Sequence, residues 1–372
     1  MKVLYVGCYR DGTGWGQAAT DYILAMDSVG IDVVPRPIKL NKNNISIPNR
    51  ISELEERDSS GAEICIQHVL PHLMEYTPKF RKNIGLYATE TSNFIDSGWS
   101  RKINMMDEAW VINNQMFHAS KESGVEVPIK VVPHASDFSK FERGYDKAKF
   151  PSTIGNFVFY TIADLNKRKN LEAFITAFHA EFDPSEPVSI LIKSSKYGLS
   201  EEETALKIRD ICNEIKIGLK RFPNINDYKE DLIVTSFISE EDIYKIHSSC
   251  DCFVMPSYGE AWCIPAFDAM GFGKTPICTN VGGMADFIGH GGFLIEGAEE
   301  PVSGMLETFN NLFTGNELWT SINIKELMSC MRHAYEERDA LNKMRQEGLK
   351  QAHKYSHKNI GNLIKDLLNA NS

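Results

Sequence analysis

The sequence predicts an α/β protein made of two doubly wound units, each a parallel sheet covered by helices. Short apolar runs alternate with helix-length segments over the first third of the chain, a polar stretch rich in breakers interrupts them, and the alternation then starts again. The length of 372 residues suits two domains better than one core. A hydrophobic share of 42% against 24% charged residues supplies apolar side chain for both cores and sets the chain apart from disordered sequences.

In chain order, the run at residues 2–6 ends at Gly7 and reads as a first strand rather than as a secretory signal, because no apolar core or cleavage site follows it. Further strands are expected at 32–35, 62–67, 83–87, 108–112 and 129–132. Residues 138–153 carry Gly144 and Pro151 and little apolar periodicity, which places the domain junction there. The domains expected are thus 1–148 and 149–350. Strands of the second domain are expected at 157–162, 189–192, 232–235, 252–255, 275–279 and 292–295. Leu171, Phe174, Ile175 and Phe178 repeat at helical spacing, as do Leu206, Ile208, Ile211 and Ile215, and both sets are read as core. In the last segment, 351–372, Ile360, Leu363, Ile364, Leu367 and Leu368 fall on one face of a helix expected to dock across the domains.

The formal charge is −10, and the acidity lies late in the chain: 18 Lys and Arg meet 19 Asp and Glu in residues 1–150, against 22 and 31 in the rest. An acidic field opposes nonspecific attachment to polyanions but permits a local basic patch. No window reaches the ~20 apolar residues of a membrane span. The eight cysteines form no C-x2-C pair and several lie in apolar runs, so reduced, buried thiols are expected instead of disulfides or zinc ligands. A cytoplasmic protein follows, with peripheral membrane attachment as the alternative.

Three segments carry chemistry. After the first strand, Gly12, Gly14 and Gly16 let backbone approach a ligand at the start of a helix, where a phosphate or sugar fits. A nicotinamide fingerprint fits poorly there, because the spacing from Gly7 is wrong and the second strand lacks the ribose-binding acid. Lys167-Arg168-Lys169 precedes an amphipathic helix and supplies the charge to grip a diphosphate, although a charge run by itself reads as a solvated face. In Gly259-Glu260-Ala261-Trp262-Cys263-Ile264-Pro265, the proline suits the first helical position, so the amides of Ala261 to Ile264 would face an anion. Glu260 and Asp268 would accept hydrogen bonds from sugar hydroxyls.

The Glu260 to Asp268 segment resembles the E-x7-E signature of retaining GT-B glycosyltransferases (glycosyltransferase group 1, family 4-like). Asp268 stands where that family has its second glutamate. Gly14-Trp15-Gly16 resembles the family's first glycine loop, Val132-Pro133-His134 its interdomain strand end, and Val281-Gly282-Gly283 its continuation after the motif. The resemblance covers nearly the whole chain and implies a GT-B fold of two Rossmann-like domains facing a cleft. It implies that Glu260 holds the donor sugar, Asp268 the nucleotide ribose and Lys169, helped by Arg168, the diphosphate. Many relatives have an arginine where Asp164 stands, and an active-site histidine where Ala88-Thr89-Glu90 stands, so the histidine's role is vacant or moved.

The expected catalytic residues are Glu260, Lys169 and Glu90. Donor binding is expected at Gly14, Gly16, Arg168, Lys169, Glu260, Ala261, Trp262, Cys263, Ile264 and Asp268, and Glu90, His68 and His134 are the acceptor-side candidates. His68 and His72 are four apart, but Pro71 interrupts any shared helix, so no metal site is expected. No cofactor is expected, and the co-substrate expected is a UDP- or GDP-sugar. The partners expected are this nucleotide sugar and an acceptor carbohydrate, glycolipid or modified nucleic acid. Tyr87, Phe94, Trp99 and Trp110, with Lys79, Arg81, Lys82, Arg101 and Lys102, are compatible with any of these acceptors, although packing and solvated charge are their ordinary explanation. The activity expected is that of a metal-independent hexosyl- or pentosyltransferase; the rivals are a nucleotide-sugar epimerase of the same fold and a noncatalytic sugar-nucleotide sensor.

Overall fold

In a computed structural model, which describes residues 1–39, 45–148, 150–306, 308 and 311–370, both sets of apolar runs form parallel six-stranded sheets. The first comprises β1 (Lys2–Gly7), β2 (Asp32–Pro37), β3 (Ile64–His68), β4 (Lys82–Leu86), β5 (Glu108–Val111) and β6 (Ile129–Val131), in the order β2-β1-β3-β4-β5-β6. The second comprises β7 (Phe157–Asp164), β8 (Val188–Ser195), β9 (Asp231–Val234), β10 (Cys252–Met255), β11 (Thr275–Thr279) and β12 (Phe293–Ile295), in the order β12-β11-β10-β7-β8-β9. Helices cover both faces of such sheets, which is why the strands read as unbroken apolar runs without alternation.

The chain divides into two compact units: Met1–Lys140 with Phe309–Leu318 and His353–Ser372, and Phe141–Thr308 with Trp319–Ala352. Residue 149, at the domain boundary expected from sequence, lies outside the described residues.

In the first unit, Val3 and Tyr5 of β1, Ile64 and Ile66 of β3 and Ile84 and Leu86 of β4 share one core with Ala19, Tyr22, Ile23 and Met26 of the Gly14–Ser28 helix. Thr13 starts that helix by accepting a hydrogen bond from Gly16 N. The last helix, His357–Asn369, buries Ile360, Ile364 and Leu368 in the same core. Its Gly361 is required, since a side chain there would meet Ala25 O at 2.2 Å. The terminal helix therefore packs on the first unit's opening helix.

The second unit centres on Phe159, Phe174, Phe178, Ile190, Ile192 and Val254. The Glu201–Leu219 helix departs from the sequence reading at one position: Leu206 is 55% exposed, whereas Ile208 is fully buried. Thr204, Ile208 and Cys212 follow one another at four-residue steps and make the inward stripe, and Leu206, two residues off it, points the other way. Phe141 lies edge-on to Phe272 at 5.1 Å, and its ring atoms are 2.3–2.5 Å from where a Gly271 side chain would begin. Tyr145, Tyr244 and His247 complete this aromatic cluster around Phe272.

A two-stranded sheet, β13 (Gly297–Pro301) with β14 (Leu318–Ile322), has no counterpart in the sequence reading, because Gly-Ala-Glu-Glu-Pro has almost no strand-forming side chain. All eight cysteines are free, and all but Cys330 are buried. Among the described residues no helix is long and apolar enough to cross a membrane.

Candidate functional site

Strand order reverses in the second sheet between β7 and β10, the position at which open α/β sheets bind ligands beyond the carboxyl ends of their strands. The loops leaving these two strands carry the cation run and the acid motif. After β7 the chain makes a tight turn, Lys167–Lys169, capped by Asn166, whose side chain accepts from Lys169 N at 3.2 Å. Asn170 ends the turn in the left-handed region at φ 51°, a conformation asparagine tolerates better than most side chains. Its Nδ2 donates to Pro256 O at 3.0 Å, and Tyr258 N donates to Arg168 O at 2.8 Å. The two loops are thereby stitched together before any ligand is considered.

Their charged side chains meet at one carboxylate. Lys169 Nζ donates to Glu260 Oε1 at 2.6 Å, and Arg168 Nη1 stands 3.0 Å from the same oxygen while donating to Gly259 O at 2.5 Å. Glu260 is buried. Burial acts most strongly on its acidity and pushes it up, but Lys169 and then Arg168 outweigh that push and hold the carboxyl below its ordinary range. Lys167 takes a different place, paired with Glu172 at 3.5 Å and lying 5.9 Å from the Tyr258 ring centre. Tyr258 in turn stacks on Trp319 at 4.4 Å and donates no backbone freedom to the loop, since its carbonyl accepts from Thr320 N at 2.8 Å.

Beyond Glu260 the backbone turns through Cys263, at φ 71°, into the Ile264–Gly271 helix. Pro265 takes the second helical position, one later than the sequence suggested. The free amides of this first turn give the helix start its partial positive charge. Gly283 makes the segment's close packing possible: a side chain there would come within 2.7 Å of Trp262 Cα and 2.9 Å of Ala261 O. Asp268 is buried on the second turn of the helix. Ser257, fully buried beside the motif, has a hydroxyl with no hydrogen-bond partner among the described residues.

Arg168, Lys169 and Glu260 are therefore brought into contact, with Ala261, Trp262, Cys263 and Ile264 leading from them into the helix that bears Asp268. Gly14, Gly16, His68, Glu90 and His134 belong to the first unit. Gly16 packs close to Cys8 O, 3.1 Å from where its side chain would start. Glu90 is half-buried in the loop after β4. His68 and His134 are buried, and burial pushes each down to about 3, with His68 adding to the effect on His134. Tyr87, Phe94, Trp99 and Trp110 are all core residues, and Lys82 is a buried partner of Glu108 at 2.7 Å, so packing accounts for them.

Sequence reasoning missed the two asparagines that bracket the cation run, the Tyr258–Trp319 stack and the 2.7 Å contact of the Tyr5 hydroxyl with His68 Nδ1. An Asn-x3-Asn frame around Lys-Arg-Lys was a usable signal for a capped turn. The stack, between residues far apart in sequence, left none.

The family of glycosyl transferases group 1 matches residues 226–303, which include β10, Glu260 and Asp268. The chain is similar to the serotype-specific mannosyltransferase WbdA of Escherichia coli, with 28% identity over 147 residues, or 39% of this chain and 16% of that protein. It thus spans about a sixth of the length that the relative has. Among solved structures, Anabaena Alr3699/HepE in complex with UDP-glucose aligns over 100% of both chains at a TM-score of 0.65 and 14% identity. Sucrose-phosphate synthase from Thermosynechococcus elongatus aligns over 100% of both at 0.68 and 12%. The fold of the chain is GT-B.

Proposed function

We propose that the protein is a glycosyltransferase that moves a sugar from a nucleoside diphosphate sugar to a hydroxyl acceptor with retention of configuration. The second unit holds the donor and the first, residues 1–148 in the sequence reading, takes the acceptor, which is a carbohydrate, a glycolipid or a modified nucleic acid. The single observation that carries this reading is the convergence of Lys169 and Arg168 on Glu260 at the β7/β10 switch point. The match to glycosyl transferases group 1 over 226–303 supports it.

Lys169 spends one of its three ammonium donors on Glu260 and keeps others for the phosphate oxygens; Arg168 adds a fixed positive charge beside it. Both lower the cost of charge building on the departing diphosphate. Glu260, held ionised, accepts hydrogen bonds from sugar hydroxyls, and Asp268 takes the same part for the ribose. The amides at the start of the Ile264–Gly271 helix supply further positive potential. With this charge provided by the protein, departure needs no metal. The bond between the anomeric carbon and the phosphate oxygen breaks, the acceptor oxygen bonds to the same face, and its proton passes to the departing phosphate. Glu90, in the loop after β4, is the acceptor-side carboxylate that orients that hydroxyl.

The test is incubation of purified protein with UDP- and GDP-sugars, with and without a panel of hydroxyl acceptors, following product by NMR. Transfer with an unchanged anomeric configuration is expected. Donor isomerised without acceptor would make the protein an epimerase, and binding without turnover would make it a sensor.

A further inference from the structure

Tyr5 on β1 and His68 at the end of β3 are joined by a 2.7 Å contact between the phenolic oxygen and Nδ1 of the ring. Tyr5 is fully buried, and this nitrogen is its hydroxyl's only hydrogen-bond partner among the described residues. One proton occupies the contact. If His68 donated it, both the phenolic proton and the Nε2 lone pair would be left without a partner among the described residues. If Tyr5 donates it, the phenol is satisfied and only the hydrogen on Nε2 is left to pair. Nδ1 is then an acceptor, and a neutral ring must carry its hydrogen on Nε2.

The ring stays neutral because burial drives its pKa down to about 3. Its orientation is fixed as well. Trp15 stacks on it at 5.1 Å and 28°, and Tyr22 meets it edge-on at 5.6 Å, with the Tyr22 hydroxyl committed to Val132 O at 2.6 Å. Gly7 and His68 are register partners at the carboxyl ends of β1 and β3, between which the strand order of the first sheet reverses. Open α/β sheets take their ligands at that position. Nε2 has no hydrogen-bond partner among the described residues, although His68 is only 1% exposed. A buried, oriented donor at a switch point is suited to meet a ligand oxygen.

We propose that Tyr5 fixes His68 as the Nε2–H tautomer and that His68 donates this hydrogen to a hydroxyl oxygen of the acceptor instead of taking its proton. The tautomer stands on the hydrogen bonding alone; the acceptor rests on the glycosyltransferase reading. Tyr5 is a positioning residue that acts through His68.

The experiment has two arms. In the first, the full chain labelled with 15N-histidine is studied by NMR from pH 8 to 5. A pyrrole-type Nε2 and pyridine-type Nδ1 are expected for His68, unchanged over that range, with the preference relaxed in Tyr5→Phe. A hydrogen on Nδ1, or a ring that protonates within the range, overturns the assignment. In the second arm, methyl glycosides of mannose, glucose, galactose and N-acetylglucosamine serve as acceptor probes with His68→Gln and His68→Leu. Gln retains an N–H donor and is expected to keep the acceptor KM within about 3-fold, whereas Leu raises it about 10-fold, the scale of one hydrogen bond. Equal loss in both variants points to proton transfer and overturns the donor role. If the unaltered protein neither transfers nor hydrolyses any nucleotide sugar, the glycosyltransferase reading fails and takes the acceptor with it, while the NMR arm decides the tautomer by itself.

Discussion

Glu260 Oε1 accepts from two cations at once, Lys169 Nζ at 2.6 Å and Arg168 Nη1 at 3.0 Å. Among these three side chains two positive groups meet one negative one, in a partly buried place. Such a surplus is costly in a fold that has no anion to bind, because buried charges need compensation. Its presence at the carboxyl ends of β7 and β10 fits a site shaped for a diphosphate.

Lys169→Ala and Glu260→Gln are each expected to lower turnover at least ~100-fold, the scale of losing one electrostatic contact to a transition state. Steady-state kinetics on variants with unchanged circular dichroism check this. Near-normal rates in both would remove the pair from the chemistry.

Asp268→Ala acts on binding. Calorimetric titration with the turned-over nucleotide sugar is expected to give a weaker donor affinity by about 10-fold, one lost hydrogen bond to a charged acceptor. An unchanged affinity would deny Asp268 its ribose.

Gly283→Ala tests the packing behind the motif. The new methyl would sit 2.7 Å from Trp262 Cα, where backbone cannot yield cheaply, so a loss of about 1–3 kcal/mol is expected in urea unfolding. Full stability would mean that the segment from Ala261 to Trp262 shifts freely.

Acid should loosen the first unit before it strips Glu260 of its charge. His68 and His134 have pKa values near 3 when folded, against 6.5 when exposed, so the unfolded chain binds extra protons below pH 6.5. Their contribution to stability is complete above that pH and declines as pH falls towards 3, by about 2 kcal/mol per histidine at pH 5. Urea midpoints of the full chain at pH 7.5 and 5 are expected to differ, and His134→Phe to narrow the gap. Equal midpoints at the two pH values would count against neutral, buried rings. Glu260, whose pKa is lowered, adds a loss in the same direction only below the ordinary carboxylate range.

Much of the fold is legible in the sequence. Each of the twelve expected strands has its counterpart in the two six-stranded sheets, with ends shifted by up to three residues. Parallel strands buried on both faces announce themselves as apolar runs, and local composition suffices to find them. The order of those strands is not local information, and neither is the meeting of Tyr5 with His68, 63 residues away. The acid motif and cation run were visible as segments 91 residues apart, but only the adjacency of β7 and β10 brings Lys169 to Glu260. Leu206 shows the converse error, in which an apolar residue near the right spacing is taken for core although it sits on the wrong side of its helix.

The Phe141 ring lies where a side chain at Gly271 would begin, and Tyr145 continues the same aromatic cluster. Anyone grafting the second unit onto another protein would have to cut ahead of Phe141. A cut at 149 discards both rings, opens a greasy hollow over Phe272 and Gly271, and invites the severed piece to clump. Positions 141 and 271 must travel together through any such exchange.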